Sequence, residues 1–123
     1  MKIYTTYFAR VRQLPLSIVP VAICLYPPDW WQGQTCRQLA PVQMIFQQYK
    51  ASHDFEDFAQ RYICTTLRST TFPYIQNYLE RCSEGKDVAL VCYAKNPFEC
   101  HRSIVAEWFK YNGVEVEEWH PEK

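Results

Sequence analysis

The chain has 123 residues, and its thirteen basic and thirteen acidic side chains cancel, so the broad positive footprint that drives binding to duplex nucleic acid is absent. At 48% hydrophobic, one domain spanning residues 1–123 can bury roughly two-thirds of its unfolded surface with no metal or disulfide required for folding. No stretch approaches the ~20 apolar residues of a membrane span, and Arg10 and Arg12 fall where a signal peptide would carry its apolar core; a cytoplasmic protein with reduced thiols is expected.

Residues 2–7 read as a first strand and 18–25 as a second, whose Pro20 suits an edge position. Pro27-Pro28-Asp29 breaks that strand, and Trp30-Trp31 follows in a loop. From Pro41 onward, Met44, Ile45 and Tyr49 give one helical stripe; Phe55, Phe58, Tyr62, Ile63 and Leu67 give another, with Asp54 as N-cap. A third helical segment runs over 72–83 and ends at Gly85. Residues 87–93 are apolar and rich in β-branched side chains, as a strand covered on both faces requires. A helix over 97–112 and a terminal strand over 114–119 complete a strand–helix–strand crossover. The order predicts a small α/β layered fold, Rossmann-like or flavodoxin-like, with a mostly parallel sheet. Among the six cysteines, Cys24, Cys64 and Cys92 have the surroundings of small buried hydrophobes.

The segment Cys92-Tyr-Ala-Lys-Asn-Pro-Phe-Glu-Cys100-His101-Arg102 carries the chemistry. It turns from a strand into a helix, and ligands of open α/β sheets sit beyond such carboxyl ends, where helix N-termini offer unpaired N–H groups to anions. Asn96, Pro97 and Glu99 have the form of a capped helix start, so Glu99 reads as structural. Cys100 near the positive end of the helix, or Cys92, is a candidate nucleophile, and His101 a candidate acid/base; a buried thiol and a core histidine are the plainer readings. If the first two strands run parallel to this unit, Tyr7, Arg10, Asp29, Trp30, Trp31, Lys95 and Arg102 share one crevice with the thiols. The cations would then hold anionic oxygens and the tryptophans would stack on a base or sugar, or simply plug the core. A Cys-x7-Cys-His spacing matches no familiar zinc motif and lacks an evident fourth ligand, so neither resident metal nor cofactor is expected. A phosphatase loop is excluded by Phe98, and a glycine-rich phosphate loop by glycines only at 33, 85 and 113.

Tyr4-Thr-Thr-Tyr-Phe-Ala, Pro28-Asp-Trp-Trp, Lys86-Asp-Val-Ala-Leu-Val-Cys-Tyr and Cys100-His-Arg-Ser-Ile-Val-Ala-Glu-Trp together resemble Domain of Unknown Function family 488 over nearly the whole chain. The resemblance implies a compact α/β domain with a site at the Cys, Cys-His-Arg loop. Members usually carry an acid two positions after the first cysteine, where this chain has Ala94. Two functions are therefore in play. One is a thiol-dependent hydrolase or transferase binding a small phosphorylated or nucleotide-like ligand. The other, which Ala94 favours, is a non-catalytic module for a ligand or protein. A redox protein using a Cys92–Cys100 disulfide is a third reading.

Overall fold

In the computed structural model, which describes residues 1–121, five strands form one all-parallel sheet in the spatial order β3-β2-β4-β1-β5. The strands are β1 (Ile3–Tyr7), β2 (Ile18–Ala22), β3 (Gln34–Thr35), β4 (Asp87–Cys92) and β5 (Val116–Glu118). Four α-helices accompany them: α1 (Gln43–Ser52), α2 (Phe55–Thr65), α3 (Phe72–Ser83) and α4 (His101–Tyr111). The protein is thus an α/β layered fold, and among the described residues no helix is long and apolar enough to cross a membrane.

β4 holds the centre because every residue from Val88 to Cys92 is apolar and buried, which only a strand covered on both faces tolerates. Alternation then divides its side chains. Val88, Leu90 and Cys92 join Ile3, Val21 and Ile23 in the main core, packed under Ile45, Tyr62, Ile75, Leu79 and Phe109 of the helices. Val91 faces the other way, into a small cluster with Phe8, Ala22 and Cys24 that is capped by Val11 and Trp31. All four helices contribute to the first core; the second face has only a 3-10 turn, Phe8–Gln13, and the tryptophan loop over it.

The strand β2 lies inside the sheet rather than at its edge. The short β3 pairs only with Val21 and Ala22, however, so residues 18–20, Pro20 included, keep one open side and the missing N–H is tolerated. Asp54 caps α2 by accepting from the Asp57 N–H at 3.1 Å, and α3 ends where Glu84 and Gly85 take left-handed backbone, φ 54° and 81°. One buried assignment is corrected: Cys64 is exposed, because α2 buries Phe58 and Tyr62 instead; in the α1 stripe Ile45 is buried and Met44 is exposed.

The segment expected as one helix over 97–112 is two pieces. Asn96 accepts from the Phe98 N–H at 3.0 Å and caps a single 3-10 turn, Pro97–Glu99. The backbone is then extended at Cys100, φ −136° and ψ 143°, which makes Cys100 the N-cap of α4. The crossover β4–α4–β5 sets β5 beside β1 with Ile3 opposite Val116 and Thr5 opposite Glu118.

Candidate active site

Cys92 ends β4 on the helix-covered face, and the extended backbone at Cys100 returns the chain to it. The two Sγ atoms are in disulfide contact, while their Cα atoms stand 7.5 Å apart. Next along α4, the His101 ring is 6% exposed; its Nε2 lies 2.6 Å from the Ile23 carbonyl oxygen and its Nδ1 3.9 Å from the Cys100 sulfur. A carbonyl can only accept, so a neutral ring must carry its proton on Nε2 and present the Nδ1 lone pair to the Cys100 sulfur. Burial lowers the His101 pKa to about 4; the bond to Ile23 partly opposes that shift and the charge on Arg102 adds to it, so the ring is neutral at pH 7.

These three groups line a cavity of about 490 Å³. Tyr26, Phe46, Tyr49, Phe58 and Tyr93 make its walls aromatic, and Lys50 and Glu99 are its charged residues. Tyr93 fixes part of the rim by donating its hydroxyl to the Tyr26 carbonyl at 2.6 Å. Cys24 also lines the cavity, but burial pushes its thiol up to about 11, so it stays protonated and unreactive at neutral pH.

Arg102 lies behind the thiols, away from the cavity, with no exposed surface. Its Nε and Nη2 grip the Glu118 carboxylate at 3.0 and 2.9 Å. Nη2 also donates to the Lys95 carbonyl at 3.1 Å, and Nη1 donates to the Ala94 carbonyl and to the Cys92 sulfur at 3.3 Å. The Thr5 hydroxyl completes the carboxylate's shell at 2.7 Å. With every guanidinium nitrogen engaged, Arg102 has no donor left for a ligand; it positions the turn and supports the Cys92 sulfur instead.

The expected single crevice therefore divides. Cys92, Cys100 and His101 meet on the cavity, whereas Tyr7, Arg10, Asp29, Trp30, Trp31, Lys95 and Arg102 do not line it. Arg10 sits over the Tyr7 ring, 5.0 Å from its centre, and donates to the Trp119 carbonyl at 3.2 Å, with His120 Nδ1 at 2.8 Å; it fastens the segment after β5. Trp30 and Trp31 pack edge-on to Phe8 at 6.0 and 5.3 Å; Trp31 covers the small cluster on the far face of the sheet, while Trp30 stays about half exposed. Gly33 makes room for this packing, since a Cβ there would lie 2.7 Å from the Trp31 ring. The side chains of Asp29 and Lys95 are exposed.

Sequence reasoning missed the wall that α1 supplies. Gln43, Phe46, Gln47 and Lys50 follow the i, i+3, i+4, i+7 spacing of one helix face, which was the available signal, and all four line the cavity. Glu99, read as a capping acid, lines it too, because α4 begins after Glu99 rather than before it.

No curated protein and no solved structure matches the chain. A family model described as DUF488-N3a, the active DUF488-N3 subclade, matches residues 9–113. With that match covering most of its length, and the paired thiols and Cys-His-Arg turn inside it, the chain belongs to the DUF488 family.

Proposed function

We propose that the protein is a thiol-dependent hydrolase or transferase acting on a small substrate with a planar ring, of the nucleotide-like class. The aromatic walls suit a base, and Lys50 suits one anionic group at the wall. The observation that carries this reading is the neutral His101 ring, tied through Nε2 to Ile23, with Nδ1 directed to Cys100 at the cavity surface. In the reaction Cys100 Sγ gives its proton to Nδ1 as the sulfur bonds to the electrophilic centre of the substrate. The leaving group departs with the electron pair of the broken bond and takes that proton. Water, or a second acceptor, then cleaves the enzyme–substrate bond and the thiol is restored. The N-terminal end of α4 favours the thiolate form of Cys100.

Ala94 supports a second reading, a binding module without turnover. Where the family's usual acid would stand, this chain offers Arg102 only the Ala94 carbonyl.

Alkylation of the reduced protein by iodoacetamide at pH 7, followed by peptide mass spectrometry, tests the first reading. Cys100 is expected to react about tenfold faster than the exposed Cys64, and His101→Gln to remove most of that advantage. Equal rates at the two positions would rule out an activated nucleophile and leave the binding module.

A further inference from the structure

We infer that reduced Cys92, Cys100 and His101 form a site for a soft divalent metal ion of the zinc class, open on its fourth side to the cavity. The three donor atoms lie within 4.8 Å of one another, and all three residues are buried. Among the described residues no further Cys, His, Asp or Glu joins the group, which gives the Cys2His set plus one vacant position typical of zinc sites that take an exogenous ligand. Thiolate and imidazole select zinc or similarly soft ions over magnesium and calcium, which take oxygen ligands.

Two independent features point the same way. The Ile23 carbonyl, 2.6 Å from Nε2, is the outer partner that a metal-ligating histidine needs, and it leaves Nδ1 facing the sulfurs. Arg102 Nη1 donates to the Cys92 sulfur at 3.3 Å, which stabilises a thiolate there. The charges also close: two thiolates balance a divalent ion, and Arg102 already has Glu118. Sequence spacing concealed the site because its Cys100 and His101 are consecutive, one the N-cap and the other the first residue of α4.

This goes beyond the proposed function and does not depend on it. A bound ion ties up the Cys100 sulfur, so occupancy switches off nucleophilic chemistry there, and the site stands even if the thiols never turn over substrate.

The test is an anaerobic titration of the chelator-treated, phosphine-reduced protein with Co²⁺. A thiolate-to-cobalt charge-transfer absorption saturating at one equivalent, and bleached by Zn²⁺, is expected. Cys92→Ser and Cys100→Ser should each weaken binding on the order of 100-fold, and Cys64→Ser should leave it unchanged. Because a variant may unfold, the unmodified protein supplies the second measurement: stoichiometric Zn²⁺ should shield Cys92 and Cys100, but not Cys64, from iodoacetamide. Absence of the charge-transfer band in folded, reduced protein overturns the inference. So does a band that survives both serine substitutions, or alkylation that Zn²⁺ does not slow. Equal alkylation rates at Cys100 and Cys64 without metal, alongside an intact cobalt band, would defeat the nucleophile and leave the metal site standing.

Discussion

His101 and Arg102 are neighbours in the chain, both buried, yet the two sides of α4 on which they lie accommodate a basic side chain in opposite ways. On the cavity side His101 gives up its charge: one carbonyl bond and aromatic contact with Tyr62, ring centres 5.4 Å apart, suit a neutral imidazole. On the β5 side Arg102 cannot discharge, so it is matched by a bidentate carboxylate, two carbonyls and a sulfur. The contrast teaches where reactivity can reside. The neutral group keeps a free lone pair beside the Cys100 sulfur, and the charged group has every N–H donor in use and serves as scaffold.

Breaking the charged side should have the largest effect. Arg102→Ala leaves the Glu118 carboxylate partly buried without its cation and frees two turn carbonyls, and is expected to lower unfolding free energy by about 3–5 kcal/mol in urea denaturation. A loss below about 1 kcal/mol would mean that Glu118 is solvated and that the two sides are less different than their geometry.

The neutral side is probed by acid. Because the folded pKa of His101, about 4, lies below the ordinary 6.5, its contribution to stability is complete above pH 6.5 and declines as pH falls from there toward 4. The full loss amounts to about 3 kcal/mol, from 1.36 kcal/mol for each unit of that difference. Denaturant midpoints of the reduced, metal-free protein measured from pH 7.5 down to 4 should show this decline, and His101→Gln should flatten it; a midpoint that holds level over that window would show that the ring is not buried neutral.

The smallest effect is expected one layer out. Tyr62 donates its hydroxyl to the Leu39 carbonyl at 2.6 Å with no exposed surface, so Tyr62→Phe should cost about 1–2 kcal/mol by leaving that carbonyl unpaired. Since the ring is retained, the acid sensitivity of His101 should not change. An altered pH profile in this variant would tie the phenol to the His101 environment and sharpen the boundary of the neutral region.

Much of the frame was legible because it rests on local rules. The unbroken apolar run from Val88 to Cys92 could only be a covered strand, Asp54 marked the start of α2, and Gly85 marked the stop after α3. The meeting of Cys92, Cys100 and His101 was also readable, since one strand-to-helix turn carries all three. What escaped were relations set by register and by solvent. Glu118 reaches Arg102 because β5 pairs with β1 and puts Thr5 opposite Glu118, a partnership that no spacing within 97–112 announces. The α1 wall escaped because Phe46 and Lys50 on an open helix face look like ordinary solvated positions until a cavity is found beside them. In sequence Arg10 and Arg102 read as ligand hooks because arginine is equally apt to hold an anion or the ends of its own chain, and here each does the second.

The matched stretch, residues 9–113, leaves out both Thr5 and Glu118. A fragment trimmed to those limits would lack β1 and β5 entirely, strip β4 of one neighbour, and strand the buried guanidinium beside the Cys92 sulfur with no counter-ion. The two ends of the polypeptide are in this sense remote parts of the thiol centre, and any shortened version intended for assay has to keep them.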